Sequence, residues 1–319
     1  VLRFAAPALL LGNTVVLKHA PNTFGCAEAL AALAGEAGFG PDALLHFPVH
    51  VDAVAGAIAD ARVAGVTLTG SERAGRAVAE AAGRALKPSV LELGGSDPFV
   101  VLADADLERA VAVGVKARVQ NNGQSCIAAK RFIVEAPVAE AFAARFAEAM
   151  AALRVGDPHD EVHDLGPLAR ADLRETVHDQ VLRAVAEGAR LLTGGTLPEG
   201  PGFYYPPTVL AGVNEHGLPF REEIFGPVAA ITVARDAEDA LRLANATRFG
   251  LGGAVFTADA ARGERFARAL RCGSAFVNAM TQSHPAMPFG GVGDSGYGRE
   301  LGPEGLYAFA NVKTLWVEG

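Results

Sequence analysis

The 319-residue chain is poor in sulfur and in large aromatics, with three cysteines, three methionines, one tryptophan and four tyrosines. Three cysteines, Cys26, Cys126 and Cys272, make no disulfide framework, and such sparse usage fits a reducing cytoplasm. No apolar run reaches the ~18 residues of a membrane span. The opening stretch, with Pro7, Gly12 and Asn13, reads as neither a span nor a signal peptide. Positive charge is in deficit: 28 Lys and Arg against 36 Asp and Glu leave a net charge of −8. That balance disfavours nucleic acid and anionic membranes as partners. There is no internal repeat and no low-complexity linker, and the segment 69–75 has Gly-x4-Gly spacing, neither Gly-x-Gly-x-x-Gly nor a Walker loop. The histidine pairs His46/His50 and His159/His163 are broken by Pro48 or abutted by Pro158, so neither presents a helix-face metal pair, and no metal is expected. The chain starts without Met, inside an apolar helical pattern, and reads as a fragment cut within a domain.

Half of the residues are apolar, and the length suffices for about two domains. Residues 1–93 alternate strands (14–17, 44–47, 66–68, 90–93) with helices that start near Asn22 and Thr23, at Asp52 and at Ser71. Alternation of this kind argues for an α/β fold with a parallel sheet and crossover helices. Ligands of such sheets sit at the carboxyl ends of the strands. A second run, 94–300, has its own strands (98–102, 231–233, 253–256, 274–277) and amphipathic helices (141–153, 172–187). Residues 309–317 read as a last strand, an exposed edge able to pair with a partner.

The stretch 120–130 organises the chemistry. Cys126 lies in a polar turn with Asn121, Asn122 and Gly123, between a helical apolar pattern (Leu107, Ala110, Val111, Val115) and the run Arg131-Phe132-Ile133-Val134. A thiol in such a loop can be presented to a cleft, and nucleophilic use requires dipoles or cations that favour the thiolate; the alternative is a small buried hydrophobe. Glu92 ends a strand before Leu93-Gly94-Gly95, a place for a general base or for an ordinary surface carboxylate. Glu223 and Phe225 stand in a similar segment. Gly70 and Ser71 open a helix where an anion could sit, with Gly75 following, and Lys18 ends a strand as a second cationic candidate. Residues 288–300 carry five glycines, backbone freedom suited to an irregular loop beside a ligand or another chain.

Taken together these segments resemble the aldehyde dehydrogenase superfamily. The matching motifs are Leu-Thr-Gly-Ser-Glu-Arg-Ala-Gly (68–75), Leu-Glu-Leu-Gly-Gly (91–95), Asn-Gly-Gln-Ser-Cys (122–126), Glu-Glu-Ile-Phe-Gly-Pro-Val (222–228) and Pro-Phe-Gly-Gly-x4-Gly-x-Gly-Arg-Glu (288–300). They span nearly the whole chain in the family's order. Lys-His-Ala-Pro-Asn (18–22) and Glu-Leu-Gly-Gly-Ser-Asp-Pro-Phe (92–99) are most similar to bacterial succinate-semialdehyde dehydrogenases. The resemblance implies a Rossmann-type cofactor domain (1–94, incomplete at its N-terminus), an α/β catalytic domain (95–302) and an oligomerisation tail (303–319), in a cytoplasmic homodimer or homotetramer. It implies an aldehyde substrate and NAD or NADP as cofactor. Cys126 would attack the aldehyde, with its own backbone N–H holding the oxyanion, and Glu92 would activate water against the thioester, with Glu300 relaying protons. Lys18, Gly70, Ser71, Gly75, Leu93, Glu223 and Phe225 would bind the cofactor. Arg3, Gln120, Ser283 and Phe289 would meet the substrate, Arg3 through a substrate carboxylate.

Departures from the family pattern qualify this. The Pro-Trp-Asn-Phe motif, which supplies a side-chain oxyanion donor, would fall just before Val1. Loss of one such donor costs ~10²–10³ in rate, so the fragment is expected to be weak or inactive. Where NAD-preferring relatives often carry Glu to clamp the ribose hydroxyls, this chain has Pro21, which leaves NADP open. Gln120 stands where the animal succinate-semialdehyde enzyme has a second arginine. The expected reaction is succinate semialdehyde to succinate. Alternatives are glutarate semialdehyde, lactaldehyde or broad specificity, or a fragment acting only as a structural or binding protein.

Overall fold

Short apolar runs bounded by Gly, Pro or Asp form the strands, and longer Ala-rich stretches with polar starts form the helices. The structure, a computed structural model, describes all 319 residues. It divides into two units: residues 1–93, 283–290 and 296–319 form the first, and 94–282 with 291–295 the second. Residues 283–290 and 296–302, placed on sequence with the second domain, therefore return to the first unit.

The first unit holds a parallel pair, β1 (Val15–Leu17) and β2 (Leu44–His46). It also holds a three-stranded sheet in which β4 (Ser89–Glu92) lies between parallel β3 (Val66–Thr69) and the antiparallel two-residue strand Gly296–Tyr297. Helix Glu72–Arg84 starts on Ser71, whose side chain accepts from the Ala74 N–H at 3.3 Å, the N-cap interaction that satisfies an orphan helix donor. It packs through Val78 and Ala82 on a small core with Ile58, Leu91 and Leu93. Thr23 stands at the N-cap of helix Phe24–Glu36, as expected, after a 3₁₀ turn over Pro21–Thr23, but its side chain makes no cap hydrogen bond. The Thr23 hydroxyl, expected as a cap, bonds His19 Nδ1 and the Ala20 carbonyl. The strand expected at 309–317 does not form. After helix Gly302–Tyr307 the chain pairs with no strand, and an extended segment becomes a strand only when another strand supplies its ladder.

The second unit carries seven more strands: β5 (Pro98–Val101), β6 (Arg131–Glu135), β7 (Arg190–Thr193), β8 (Thr208–Ala211), β9 (Val228–Ala234), β10 (Gly252–Phe256) and β11 (Ser274–Val277). They form one sheet in the order β11-β10-β5-β6-β9-β8-β7, all neighbours parallel except the antiparallel edge pair β7–β8. Both faces are covered, as parallel sheets require. Along β5 and β6, Phe99, Val101, Phe132 and Val134 face one layer with helices Leu107–Val119 and Ala136–Ala151. Val100 and Ile133 face the other, with helices Ala171–Ala186 and Ala237–Asn245. Asp106 caps helix Leu107–Val119 by accepting from the Arg109 N–H. Nearby Asp104 accepts from Thr257 and pairs with Arg262.

Phe132 is fully buried, with ring centroids 5.1 Å from Phe99 and 4.6 Å from Phe146. Gly114 sits mid-helix because a Cβ there would come within 3.2 Å of the Phe132 ring. Phe132→Ala should cost about 3–5 kcal/mol, lowering the calorimetric midpoint by roughly 10 °C. A midpoint within about 2 °C of the parent would show that this layer repacks and does not anchor the sheet.

Candidate active site

Where β6 begins, the chain leaves helix Leu107–Val119 and enters three successive left-handed residues, Asn121 (φ 51°), Asn122 (φ 57°) and Gly123 (φ 75°). Asn tolerates this region and Gly pays nothing for it. Gly123 has a second reason to be glycine, since an added Cβ would strike the backbone of Gly226 and Pro227. Asn122 locks the bend by accepting from the Gly166 N–H (3.0 Å) and donating to the Pro167 carbonyl (3.1 Å). The result is a tight turn that carries Cys126 half-buried before β6. No disulfide joins the three cysteines.

Three buried cations brace this region. Lys130, 2% exposed, donates all three ammonium protons to the carbonyls of Ser125 (2.9 Å), Cys126 (2.9 Å) and Ala128 (3.1 Å). It also lies 3.2 Å from Glu223 Oε1. Arg118 donates to the carbonyls of Gly123 and Ala129, and Arg131 to those of Ser96, Leu243 and Ala244. Glu223 Oε1 also accepts from the Gly95 N–H at 3.1 Å. Gly95 sits close to the cysteine turn: a Cβ there would lie 2.7 Å from the Cys126 carbonyl oxygen. Ser295 donates to the Gly94 carbonyl (2.7 Å) and accepts from the Gly250 N–H. Buried Asp97 accepts from the Gly252 N–H, and burial raises its pKa to about 6. The segments around 94–97, 123–130, 223–227 and 250–252 thus converge at the amino ends of β5, β6, β9 and β10.

Gln120, a substrate candidate, spends its amide on the carbonyls of Ala117 and Ile127, both at 3.4 Å. Phe225 is half-buried beside the buried Ile224.

In the first unit the candidates follow strands. Lys18 comes after β1, Gly70 and Ser71 after β3, and Glu92 ends β4. The Gly70 N–H donates to the Glu92 carbonyl at 3.0 Å. Gly70 and Ser71 are exposed at the start of a 13-residue helix, and the atoms nearest a Cβ built on Gly70 belong to Leu68, at 3.6 Å or more. Gly75 lies inside that helix, where a Cβ would sit 2.5 Å from the Leu93 side chain. Gly75 and Leu93 therefore set how the helix packs beside the exposed Gly70–Ser71 turn.

Glu92, Glu300, Arg3, Ser283 and Phe289 form one cluster in this unit. Arg3 Nη1 donates to Glu300 Oε1 and Nη2 to Ser283 Oγ, each at 2.7 Å, with the guanidinium 4.7 Å above the Phe289 ring. Phe289 and Glu300 hold each other through paired backbone hydrogen bonds of 2.7 and 2.8 Å. Gly290 is needed because a Cβ there would lie 2.8 Å from Glu92 Oε1. Both oxygens of buried Glu92, and Glu300 Oε2, have no hydrogen-bond partner. Burial, then the charge of Glu300, raises the Glu92 pKa from 4.5 to about 8, against the pull of Arg299 and Arg3. Burial raises Glu300 too, opposed by Arg3.

Lys130, Arg118, Asp97 and Ser295 were not anticipated as site residues. The readable signal was two adjacent cations, Lys130 and Arg131, heading an otherwise apolar strand, since a buried cation demands partners.

The chain matches the aldehyde dehydrogenase family over residues 1–315. It is 52% identical over 316 residues to the succinate semialdehyde dehydrogenase [NAD(P)+] Sad of Escherichia coli, covering 99% of this chain and 68% of that protein. Among solved structures, succinic semialdehyde dehydrogenase of Streptococcus pyogenes in complex with NADP+ superposes with a TM-score of 0.97 at 38% identity, over 99% of this chain and 70% of that one. A lactaldehyde dehydrogenase superposes with a TM-score of 0.96 at 34% identity, over 99% and 67%. No helix is long and apolar enough to cross a membrane.

Folded Glu92 keeps its proton up to about pH 8, while the unfolded chain loses it near 4.5. Between these values the unfolded state binds fewer protons, so stability falls as pH rises, and above about 8 the folded state bears the buried charge in full. Glu92→Gln should therefore raise the thermal midpoint at pH 8.5 and change it little at pH 5. Equal midpoint shifts at both pH values would contradict a raised pKa.

Proposed function

The chain belongs to the aldehyde dehydrogenase family and is an NAD(P)-dependent oxidoreductase; we propose that it oxidises succinate semialdehyde to succinate. The observation that carries the substrate is Arg3. Its guanidinium is held at Ser283 and Glu300 over the Phe289 ring, yet remains 39% exposed. A guanidinium fixed in this way can take a substrate carboxylate by two parallel hydrogen bonds. The relatives named for succinate semialdehyde support the same reading.

In this reading the Cys126 thiolate adds to the aldehyde carbon, and the resulting alkoxide accepts the Cys126 backbone N–H. The C–H hydrogen then leaves with its electron pair, and Cys126 keeps the product as a thioester. A bound nicotinamide supplies the hydride acceptor. Glu92 removes a proton from the water that attacks the thioester, freeing the acid and the thiol. Glu92 can do this only after losing its own proton, for which Glu300 is the neighbouring acceptor, so turnover rises with pH through about 8.

The cofactor fits residues already described. The exposed helix start at Gly70 and Ser71 suits a pyrophosphate, since its free N–H groups and dipole favour an anion. Lys18 would reach the adenosine ribose, and Pro21 in place of a carboxylate leaves room for the 2′-phosphate of NADP. Glu223, with Oε1 engaged by Gly95, would accept from the nicotinamide ribose beside Phe225. Residues 1–93 then serve in the cofactor domain, and 94–282 with 291–295 as the catalytic domain. The tail at 303–319 exposes Val312, Leu315, Trp316 and Val317 by 79–87%. We read it as the segment that pairs with a second copy in a cytoplasmic homodimer or homotetramer.

Arg3→Ala should raise KM for succinate semialdehyde at least tenfold while leaving KM for an uncharged aldehyde such as lactaldehyde within about twofold, the loss expected of a charge-assisted pair. Equal effects on both would remove succinate semialdehyde as the substrate. A second measurement addresses the chemistry: Glu92→Gln should keep a first-turnover burst of NAD(P)H and lose steady turnover by ~10²–10⁴. Loss of the burst together with turnover would overturn the assignment of Glu92 to thioester hydrolysis.

A further inference from the structure

Lys130 presents a problem that the chemistry above does not use. A lysine ammonium is costly to bury, yet this one is 2% exposed and sits four residues after the nucleophile. Its three protons go to the carbonyls of Ser125, Cys126 and Ala128. A surface lysine could not define a turn, whereas one with every donor committed to the same short loop does. The charge matters as well as the hydrogen bonds. The cysteine turn packs on the carbonyl end of helix Leu107–Val119, with the Ala129 N–H donating to the Ala117 carbonyl at 3.1 Å. The end of a helix that exposes carbonyls is negative and disfavours an anion. A thiolate placed there needs a cation to offset that field.

The titratable groups around Lys130 are Glu223, Arg118, Asp97 and Cys126. Arg118 gives its Nη donors to the carbonyls of Gly123 and Ala129. Asp97 is engaged by the Gly252 N–H and lies near Arg131. Glu223 is in ion-pair contact with Lys130 at 3.2 Å, and the same oxygen accepts from Gly95. One ammonium thus touches both the carbonyl of the nucleophile and the carboxylate proposed to hold the cofactor ribose.

We infer that Lys130 is the positioning residue of this active site: it fixes the cysteine turn, supplies the positive charge that favours the Cys126 thiolate, and ties that turn to Glu223. The inference rests on Cys126 being the nucleophile. Lys130 touches no reacting atom in this role. It sets the geometry and the ionisation of the residue that does, and it holds Glu223 in place for the cofactor.

The test compares the parent protein with Lys130→Gln, which keeps hydrogen-bond donors without charge, and with Lys130→Met, which keeps length alone. Iodoacetamide alkylation at Cys126 is followed by mass spectrometry from pH 5.5 to 10, and the affinity for NADPH by fluorescence titration. Both variants should alkylate about tenfold more slowly at pH 7, with the midpoint of the profile moved up by about one unit, as expected for loss of a nearby cation. Both should also bind NADPH more weakly. A merely structural lysine would lower the thermal midpoint and leave the alkylation midpoint in place. If Lys130→Met fails to fold, Lys130→Gln decides. An alkylation profile coincident with the parent in folded Lys130→Gln overturns the inference. Alkylation needs no aldehyde, so a parent that alkylates as described but oxidises no aldehyde would overturn the proposed function and leave the role of Lys130 standing.

Discussion

A buried positive charge survives in a protein only when most of its donors find acceptors, and the second unit does this three times within one small region. Lys130, Arg131 and Arg118 are 2%, 0% and 0% exposed. All eight hydrogen bonds they make end on loop or helix-end carbonyls around the heads of β5 and β6. Loops without regular structure leave carbonyls that must find partners. Here the partners are cations, so the shape of the Cys126 turn is set by side-chain charge where a ladder or a helix would otherwise set it. Asn121, Asn122 and Gly123 supply the bend that brings those carbonyls within reach of one ammonium.

The first unit takes the opposite approach with its acids. Glu92 is buried with neither oxygen hydrogen-bonded, and Glu300 is satisfied on one side only, by Arg3. A carboxylate that accepts several hydrogen bonds becomes a weak base, because each bond favours the ionised form. Leaving Glu92 without partners keeps its proton affinity high, which the general-base role proposed for it requires. The glycine at 290 maintains that isolation, since a side chain there would press on the Glu92 carboxylate. Stability is given up for basicity at this one position.

Much of this was readable from residues. The Thr-Gly-Ser turn, Glu92 before two glycines, and Cys126 in an Asn-Gly bend all lie where spacing and turn chemistry place them, because local backbone preference and local position agree there. The helix after Ser71 and the strands β5, β6, β10 and β11 follow directly from apolar runs and caps. Three features did not follow. Residues 283–290 and 296–302 return to the first unit, which only long-range pairing of Gly296 with Glu92 and of Phe289 with Glu300 reveals. The expected final strand lacks a ladder partner in this chain. The long-range anchors Lys130, Arg118 and Ser295 act on carbonyls, and sequence patterns describe side chains far better than they describe which carbonyl lacks a donor.

The two units also place their candidate residues at opposite ends of their strands. In a sheet with crossover helices, helix N-termini lie near the carboxyl ends of strands and helix C-termini near the amino ends. The first kind of end is positive and suits an anion; the second is negative and suits a cation. Gly70 and Ser71 lie at a carboxyl end, at the exposed start of helix Glu72–Arg84. Arg131 lies at an amino end and closes helix Ala237–Asn245 by donating to the carbonyls of Leu243 and Ala244 in its last turn. A thiol with the nucleophilic role proposed for Cys126 suits the positive ends better, yet Cys126 stands among the negative ones. That position becomes workable because the same helix C-termini that repel a thiolate also hold the buried cations that attract it. The cluster of Lys130, Arg118 and Arg131 follows from where the cysteine turn sits in the fold.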